Sequence, residues 1–434
     1  MHRTLLALAL AVSPMLAAAD LLNAWDAALR NDPEYASARA DAEAGREEIP
    51  QARAQLLPQA SAQYSRGRAD SAITNLTSNR DTRYGTESWS VQIRQPLFRA
   101  RAIAGFWQAQ AAEKAAEERL VAARQSLGIR LLDAWAEHIM QSTLREAARI
   151  DIDAGRTLVR LTERQLKAGE VTRLERTQAM QRLAEARQAL AEADRRARTS
   201  ETIWRQITGG SELPPTLLPD NMASRLLEDA GPLTGIDERS RQHPAVKAAE
   251  ADVTVAREEV RKANADHLPT LDLVASRSFN NQDTDTTIGS RFDTSRILLQ
   301  ASLPLFTGGA LSSAVREAEA KHRKAQATLD STRNKIFATA ESSWLDLSAA
   351  LARWSAGEAA RERAQTALRS AELGVPAGQA TLADLARAQS DLALAIRTRS
   401  EATSDALRLW ARWQDAIGQL DEHALKRLNS LAGW

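Results

Sequence analysis

The segment Ser88-Trp89-Ser90-Val91-Gln92-Ile93-Arg94-Gln95-Pro96-Leu97-Phe98 decides the fold. Trp89, Val91, Ile93, Gln95 and Leu97 alternate with Ser88, Ser90, Gln92 and Arg94, the period-two pattern of a strand with one apolar face. Upstream, Ala60, Ala62 and Tyr64 alternate more weakly with Ser61, Gln63 and Ser65. The polar stretch from Asn75 to Gly85 between these two runs reads as an exposed loop. Pro96-Leu97-Phe98 then returns as Pro304-Leu305-Phe306, displaced by 208 residues. Ahead of it, Ile297, Leu299, Ala301, Leu303 and Leu305 alternate, as do Leu271, Leu273 and Ala275, with a polar loop expected from Asn280 to Asp293. The chain carries the same strand pair twice.

The duplication reaches far beyond the strands. Trp135, Gly169, Thr172 and Trp204 recur as Trp344, Gly378, Thr381 and Trp413 at a displacement of 209, and Pro33 and Pro58 recur as Pro244 and Pro269 at 211. So long a period marks two copies of one large unit, not a solenoid of short repeats. Each copy reads as helix, two strands and two very long helices. The expected organisation is an export signal at 1–19 and a first repeat over 20–208, with its hairpin at about 57–97 and long helices at about 100–208. A linker follows at 209–235, then a second repeat over 236–418, with its hairpin at about 269–305 and helices at about 310–418, and a tail at 419–434.

The helices can be read in some detail. Asp20 to Asn31 forms a short one, with Leu21, Leu22, Trp25 and Leu29 on one side, and Pro33 starts a second that runs to about Gln55. Proline is absent from Leu97 to Leu213, from Leu305 to Val375, and again after Pro376. At 1.5 Å per residue, a helix from about Ala100 to Leu166 spans roughly 100 Å. Ala179, Leu183, Ala186, Leu190, Ala193, Ala197, Ser200 and Trp204 step by four and three as a heptad seam. Its copy is Ala388, Leu392, Ala395, Arg399, Ala402, Ala406, Leu409 and Trp413, where Arg399 is a misfit expected to face water. Gly169 and the Pro376-to-Gly378 segment turn each long helix back on a shorter one.

Composition narrows the function. His2 and Arg3, the apolar run Leu5 to Val12, and Ala17-Ala18-Ala19 before Asp20 have the form of a cleavable export signal. Removing Arg3 with that signal leaves 56 basic side chains against 56 acidic ones, a balance that argues against nucleic acid as a partner. There is no cysteine, which excludes disulfides, thiol catalysis and lipid attachment at a mature N-terminal cysteine. Aromatic content of 4% is low for ordinary globular cores and suits alanine-rich coiled coils. His138, His243, His267, His322 and His423 are scattered without metal-ligand spacing, and no phosphate-binding loop, nucleophile elbow or dinucleotide fingerprint occurs. The chain is therefore expected to be no enzyme and to hold no cofactor or metal.

Four amphipathic strands in an exported chain leave two readings. A soluble sheet with one wet face is the commoner outcome of such alternation. A membrane sheet must close into a barrel of at least about eight strands, so several chains would have to share it. Two chains give eight strands and three give twelve. A third class, a periplasmic coiled-coil scaffold or adaptor without a pore, would use the helices but not the two hairpins.

Several short motifs resemble one family. Asp266-His267-Leu268-Pro269-Thr270-Leu271-Asp272-Leu273 is similar to the segment leading into the second hairpin of the TolC family of outer-membrane channels, and Leu56-Leu57-Pro58-Gln59 to its first-copy counterpart. Pro304-Leu305-Phe306-Thr307-Gly308-Gly309 resembles the family's passage from the last strand into the long helix, and Gln206-Ile207-Thr208-Gly209 the end of the first coil. The resemblance covers essentially the whole mature chain. It implies a mainly α chain with membrane β-strands, assembled as a homotrimer with a shared 12-stranded barrel in outer-membrane lipid and an α-helical tunnel in the periplasm. It also implies partnership with a periplasmic adaptor and an inner-membrane transporter, ABC-type or proton-driven, for type I secretion or multidrug efflux. The family places an acid after each helix turn to line the tunnel constriction; here those positions are Glu175 and Asp384. The second acid, tyrosine and arginine of the family's latch are replaced by Arg387, Val375 and Ala380, and Asp384 is expected to pair with Arg387. The turns at Gly169, Thr172, Gly378 and Thr381 are the expected adaptor-facing end.

Overall fold

The computed structural model describes residues 20–75, 78–216, 218–219, 221–282 and 290–433; the export signal expected at 1–19 lies outside them. The first copy runs α1 (Leu21–Asn31), α2 (Pro33–Ala54), β1 (Gln59–Asn75), β2 (Ser78–Phe98), α3 (Ala100–Ala168) and α4 (Arg173–Thr208). Then α5 (Met222–Ala230) and α6 (Ile236–Arg241) lead into α7 (Pro244–Ala265), β3 (Thr270–Gln282), β4 (Ser290–Ser302), α8 (Ala310–Gly374), α9 (Leu382–Ala416) and α10 (Glu422–Ala432). The copies agree closely: α2 and α7 both have 22 residues, α3 and α8 have 69 and 65, and α4 and α9 have 36 and 35. No helix among the described residues is long and apolar enough to cross a membrane.

The chain groups into two compact units, each built from both copies. One comprises the chain up to Ser37, Ala122–His243 and Lys335 onward; the other comprises Ala38–Val121 and Pro244–Asn334.

The first unit is organised by tryptophan. Trp25, Trp135, Trp204, Trp354, Trp410 and Trp413 are fully buried, together with Leu127, Leu131, Met222 and Leu226. The indole N–H groups of three of these, and of the partly buried Trp344, also fasten the segment between the copies. Trp204 Nε1 donates to Ser211 O, Trp344 Nε1 to Gly231 O and Trp413 Nε1 to Ala230 O, each at 3.1 Å, while Trp410 Nε1 donates to Asp229 Oδ2 at 3.0 Å. That segment is more than the plain linker its prolines suggested: α5 buries Met222 and Leu226 in the core. The tail likewise folds as α10, with Leu425 and Leu428 buried. Asp32, ahead of Pro33, accepts the Tyr35 N–H at 2.8 Å and both Nη groups of Arg130 at 2.7 and 2.8 Å. Those guanidinium hydrogen bonds hold the Asp32 carboxyl below the usual carboxylate range. Along the heptad seam Ala179, Leu183, Ala193, Ala197, Ser200 and Trp204 are buried. Arg399 corrects the expectation of a water-facing misfit, because its side chain is ion-paired with Glu358, which also holds Arg361 at 2.5 Å. A guanidinium fits a helical seam when a carboxylate meets it there.

The second unit holds a four-stranded antiparallel meander in the order β1-β2-β3-β4. The β2–β3 pairing joins the two copies into one sheet, from Thr86 opposite Gln282 to Phe98 opposite Leu271, with a bulge between Pro96 and Phe98. The described residues of the two expected loops are strand. β1 runs to Asn75 and β2 begins at Ser78, and β3 runs to Gln282 with β4 from Ser290. The backbone ladder continues past the apolar residues because hairpin hydrogen bonds do not require greasy side chains. Residues 76–77 and 283–289 of the expected loops lie outside the described residues. At the other end β4 stops at Ser302, short of Leu303 and Leu305, ahead of Pro304, which has no N–H for the ladder. Polar contacts join α7 to its neighbours in this unit: Gln108 Nε2 donates to Glu259 at 2.7 Å, and Arg333 reaches Glu250 at 2.7 Å.

Candidate functional site

Register sorts the sheet into two unlike faces. Ala60, Ile93, Ala275 and Ile297 lie in one cross-strand row, Tyr64, Trp89, Phe279 and Asp293 in another, and Gln95, Leu273 and Leu299 in a third. The opposite face carries Ser61, Gln92, Ser276 and Arg296, then Gln63, Ser90, Ser278 and Thr294. In a soluble protein the apolar face would be covered. Here Ile297 is 78% and Leu299 64% exposed within the chain, while Asp272 and Val274 on the more polar face are 7% and 6% exposed. β1 and β4 form the sheet edges and pair on one side only. Where the first hairpin passes into α3, Arg99 holds Asp272 of β3 with two hydrogen bonds of 2.9 and 2.7 Å, locking the strand end of one copy to the other. The sequence reading missed this pair, since the partners lie 173 positions apart.

The helix turns are built alike. Gly169 and Gly378 adopt φ of +77° and +69°, in the left-handed region, and a side chain at either would meet no neighbour within 4 Å. Thr172 and Thr381 cap α4 and α9. The Thr172 N–H donates to Glu175 Oε2 at 2.6 Å while Thr172 Oγ1 accepts the Glu175 N–H at 3.3 Å. Thr381 and Asp384 repeat the arrangement at 2.9 and 3.1 Å. Both acids are therefore the third residue of a capping box, a role the Thr-x-x-acid spacing announces and the sequence reading passed over. The donors lower both carboxyl pKa values: chiefly the Thr172 backbone N–H for Glu175, and the Thr381 hydroxyl for Asp384. Asp384 makes no direct hydrogen bond or ion pair with Arg387; its carboxylate is turned back onto Thr381, and Arg387 acts on it only as a nearby positive charge. Arg387, exposed, lines a cleft of about 670 Å³ with Asp151, Arg182 and Asp391, and Glu175 lines another of about 510 Å³ with Gln165 and Gln178. No group of three or more acidic or histidine side chains among the described residues converges as a metal site.

The family model for outer membrane efflux proteins matches this chain twice, over residues 24–210 and 236–419. The chain belongs to the outer membrane efflux protein family. The alkaline protease secretion protein AprF of Pseudomonas aeruginosa is 29% identical over 416 residues, covering 94% of this chain and 86% of AprF. The proteases secretion protein PrtF of Dickeya chrysanthemi is 29% identical over 428 residues, covering 95% and 90%. In fold, the chain is similar to the Campylobacter jejuni CmeC outer membrane channel, with a TM-score of 0.75 at 17% identity over 95% of this chain and 89% of that one. The family match makes this an outer-membrane protein. An exposed apolar sheet face, out of place in water, is what that location requires.

Since space is free around the Gly378 Cα, a substitution there tests backbone conformation alone. Gly378→Val should destabilise the turn by roughly 1–2 kcal/mol and raise amide hydrogen exchange across Thr381–Leu385. Gly378→Asn, which tolerates the left-handed region, should leave exchange near wild type. Equal exchange in both variants would show that the turn does not depend on the glycine conformation.

Proposed function

We propose that three copies close a 12-stranded outer-membrane barrel from their four-stranded sheets and that their helices form a tunnel in the periplasm. The observation that carries this reading is the meander with an exposed apolar face and two unpaired edges. In lipid an unpaired edge leaves backbone groups without partners, and closure with other copies removes every edge. The alternative of a poreless periplasmic adaptor gives the apolar face nothing to contact. On this reading the repeats over 20–208 and 236–418 make each ring of chains quasi-sixfold.

The tunnel exports cargo; it performs no chemistry. Energy comes from an inner-membrane transporter, ABC-type or proton-driven, reached through a periplasmic adaptor. Protease secretion by AprF and PrtF, as their names state, supports a polypeptide cargo and a type I secretion system, with drug efflux as the other family use. The turns at Gly169, Thr172, Gly378 and Thr381 face the adaptor, and Asp384, Glu175 and Arg387 surround the tunnel constriction. Capping anchors Asp384 and Glu175 to their own helix starts, so each copy brings its carboxylates to the ring in a fixed place.

Two measurements test these proposals. The detergent-extracted complex should have the mass of three chains; a stable monomer, or solubility without detergent, would contradict the shared barrel. In planar bilayers, Asp384→Asn should lower cation preference and Arg387→Asp should raise it, because like charges in a narrow passage attract counter-ions. Unchanged selectivity in both variants would place the constriction elsewhere.

A further inference from the structure

The apolar face of the sheet changes character toward the hairpin tips. Tyr64, Trp89 and Phe279 share one row, with the Trp89 and Phe279 rings stacked 6.2 Å apart. The next row toward the tips is Arg66, Glu87, Asn281 and Arg291; Arg68 follows opposite Gly85, then Asp70 opposite Arg83. The acids whose side chains are described on this part of the face are engaged. Asp70 accepts from Arg83 Nε at 3.0 Å, Asp293 is bridged by Arg277 at 2.8 Å, and Glu87 accepts the Tyr64 hydroxyl at 3.2 Å. Arg66, Arg68 and Arg291 are exposed and, among the described residues, have no ion-pair partner. The opposite end of the same face, with Leu271, Leu273, Leu299 and Ala301, carries no charge.

Aromatic rows sit at the level where hydrocarbon gives way to headgroups. The arginine rows one and two positions beyond therefore lie among headgroups, and at one end of the sheet only. A guanidinium offers phosphate two parallel N–H donors, and basic clusters bordering an apolar membrane surface attract anionic lipid. β1 and β4 are edge strands, so closure places Arg291 of one copy and Arg66 and Arg68 of the next on the same seam. We propose that Arg66, Arg68 and Arg291 bind the phosphate groups of a phosphorylated glycolipid in the outer leaflet of the outer membrane. This rests on the reading above, in which the hairpins cross that membrane with their helices on the periplasmic side.

The test titrates the full-length, detergent-purified complex with bisphosphorylated lipid A and with the same lipid stripped of both phosphates, and follows retained lipid by native mass spectrometry. Wild type should retain the phosphorylated form at a concentration lower by about tenfold or more, and the combined Arg66→Gln, Arg68→Gln and Arg291→Gln variant should lose that preference. Equal retention of the two lipids by wild type overturns the proposal without recourse to any variant, and so does a preference that survives in the triple variant. The same spectra report the oligomer. A wild-type mass other than three chains contradicts the shared barrel, while a trimer indifferent to phosphate contradicts only the glycolipid site.

Discussion

The backbone edges of β1 and β4 are the constraint from which the rest of the structure follows. Each edge presents a row of N–H and C=O groups with no strand partner among the described residues, and a buried group left unpaired costs on the order of several kcal/mol in hydrocarbon. Four strands cannot satisfy both edges by themselves, since the smallest single-chain barrels need about eight. Internal duplication answers part of the demand. β2 pairs with β3 across the boundary between copies, and Arg99 clasps Asp272 there, so two hairpins behave as one sheet.

The helices meet a different demand with a different chemistry. Alanine at half of the seam positions lets the long helices approach closely, and tryptophans concentrate in the unit where the segment between copies must be held. Their indole N–H groups bond to Ser211, Asp229, Ala230 and Gly231, so the same side chains that fill the core also fix the crossing from one copy to the next. At the turns, glycine supplies the left-handed step and a Thr-acid pair starts the returning helix. An acid that serves as a cap is oriented by its own backbone, which is a sound way to present a charge at a fixed place.

Much of this was legible in the sequence, and what was not has physical reasons. Alternation from Trp89 to Leu97 and from Leu271 to Ala275 identified the strands because a sheet with two unlike faces selects side chains residue by residue. It misplaced their far ends, since the ladder from Asn75 back to Gln59 is held by the backbone and the tips carry polar side chains. Pro304 ended β4 three residues sooner than the greasy pattern of Leu303 and Leu305 suggested. Prolines at 214, 215 and 219 hid α5, whose burial depends on tryptophans far away in sequence. Arg399 and Asp384 were misassigned partners because Glu358, 41 positions away, and Thr381, three positions back, outcompete water and Arg387.

The central claim is that one face of this sheet meets lipid and the other water. The chain has no cysteine of its own, so single cysteines can be placed in turn at positions 295 to 301 of β4 and probed in intact outer membranes with a lipid-soluble and an impermeant aqueous thiol reagent. The account predicts alternation, with Ile297, Leu299 and Ala301 positions reached from the lipid phase and Arg296, Leu298 and Gln300 positions reached from the aqueous lumen. Uniform reaction with the aqueous reagent along the whole strand would contradict it.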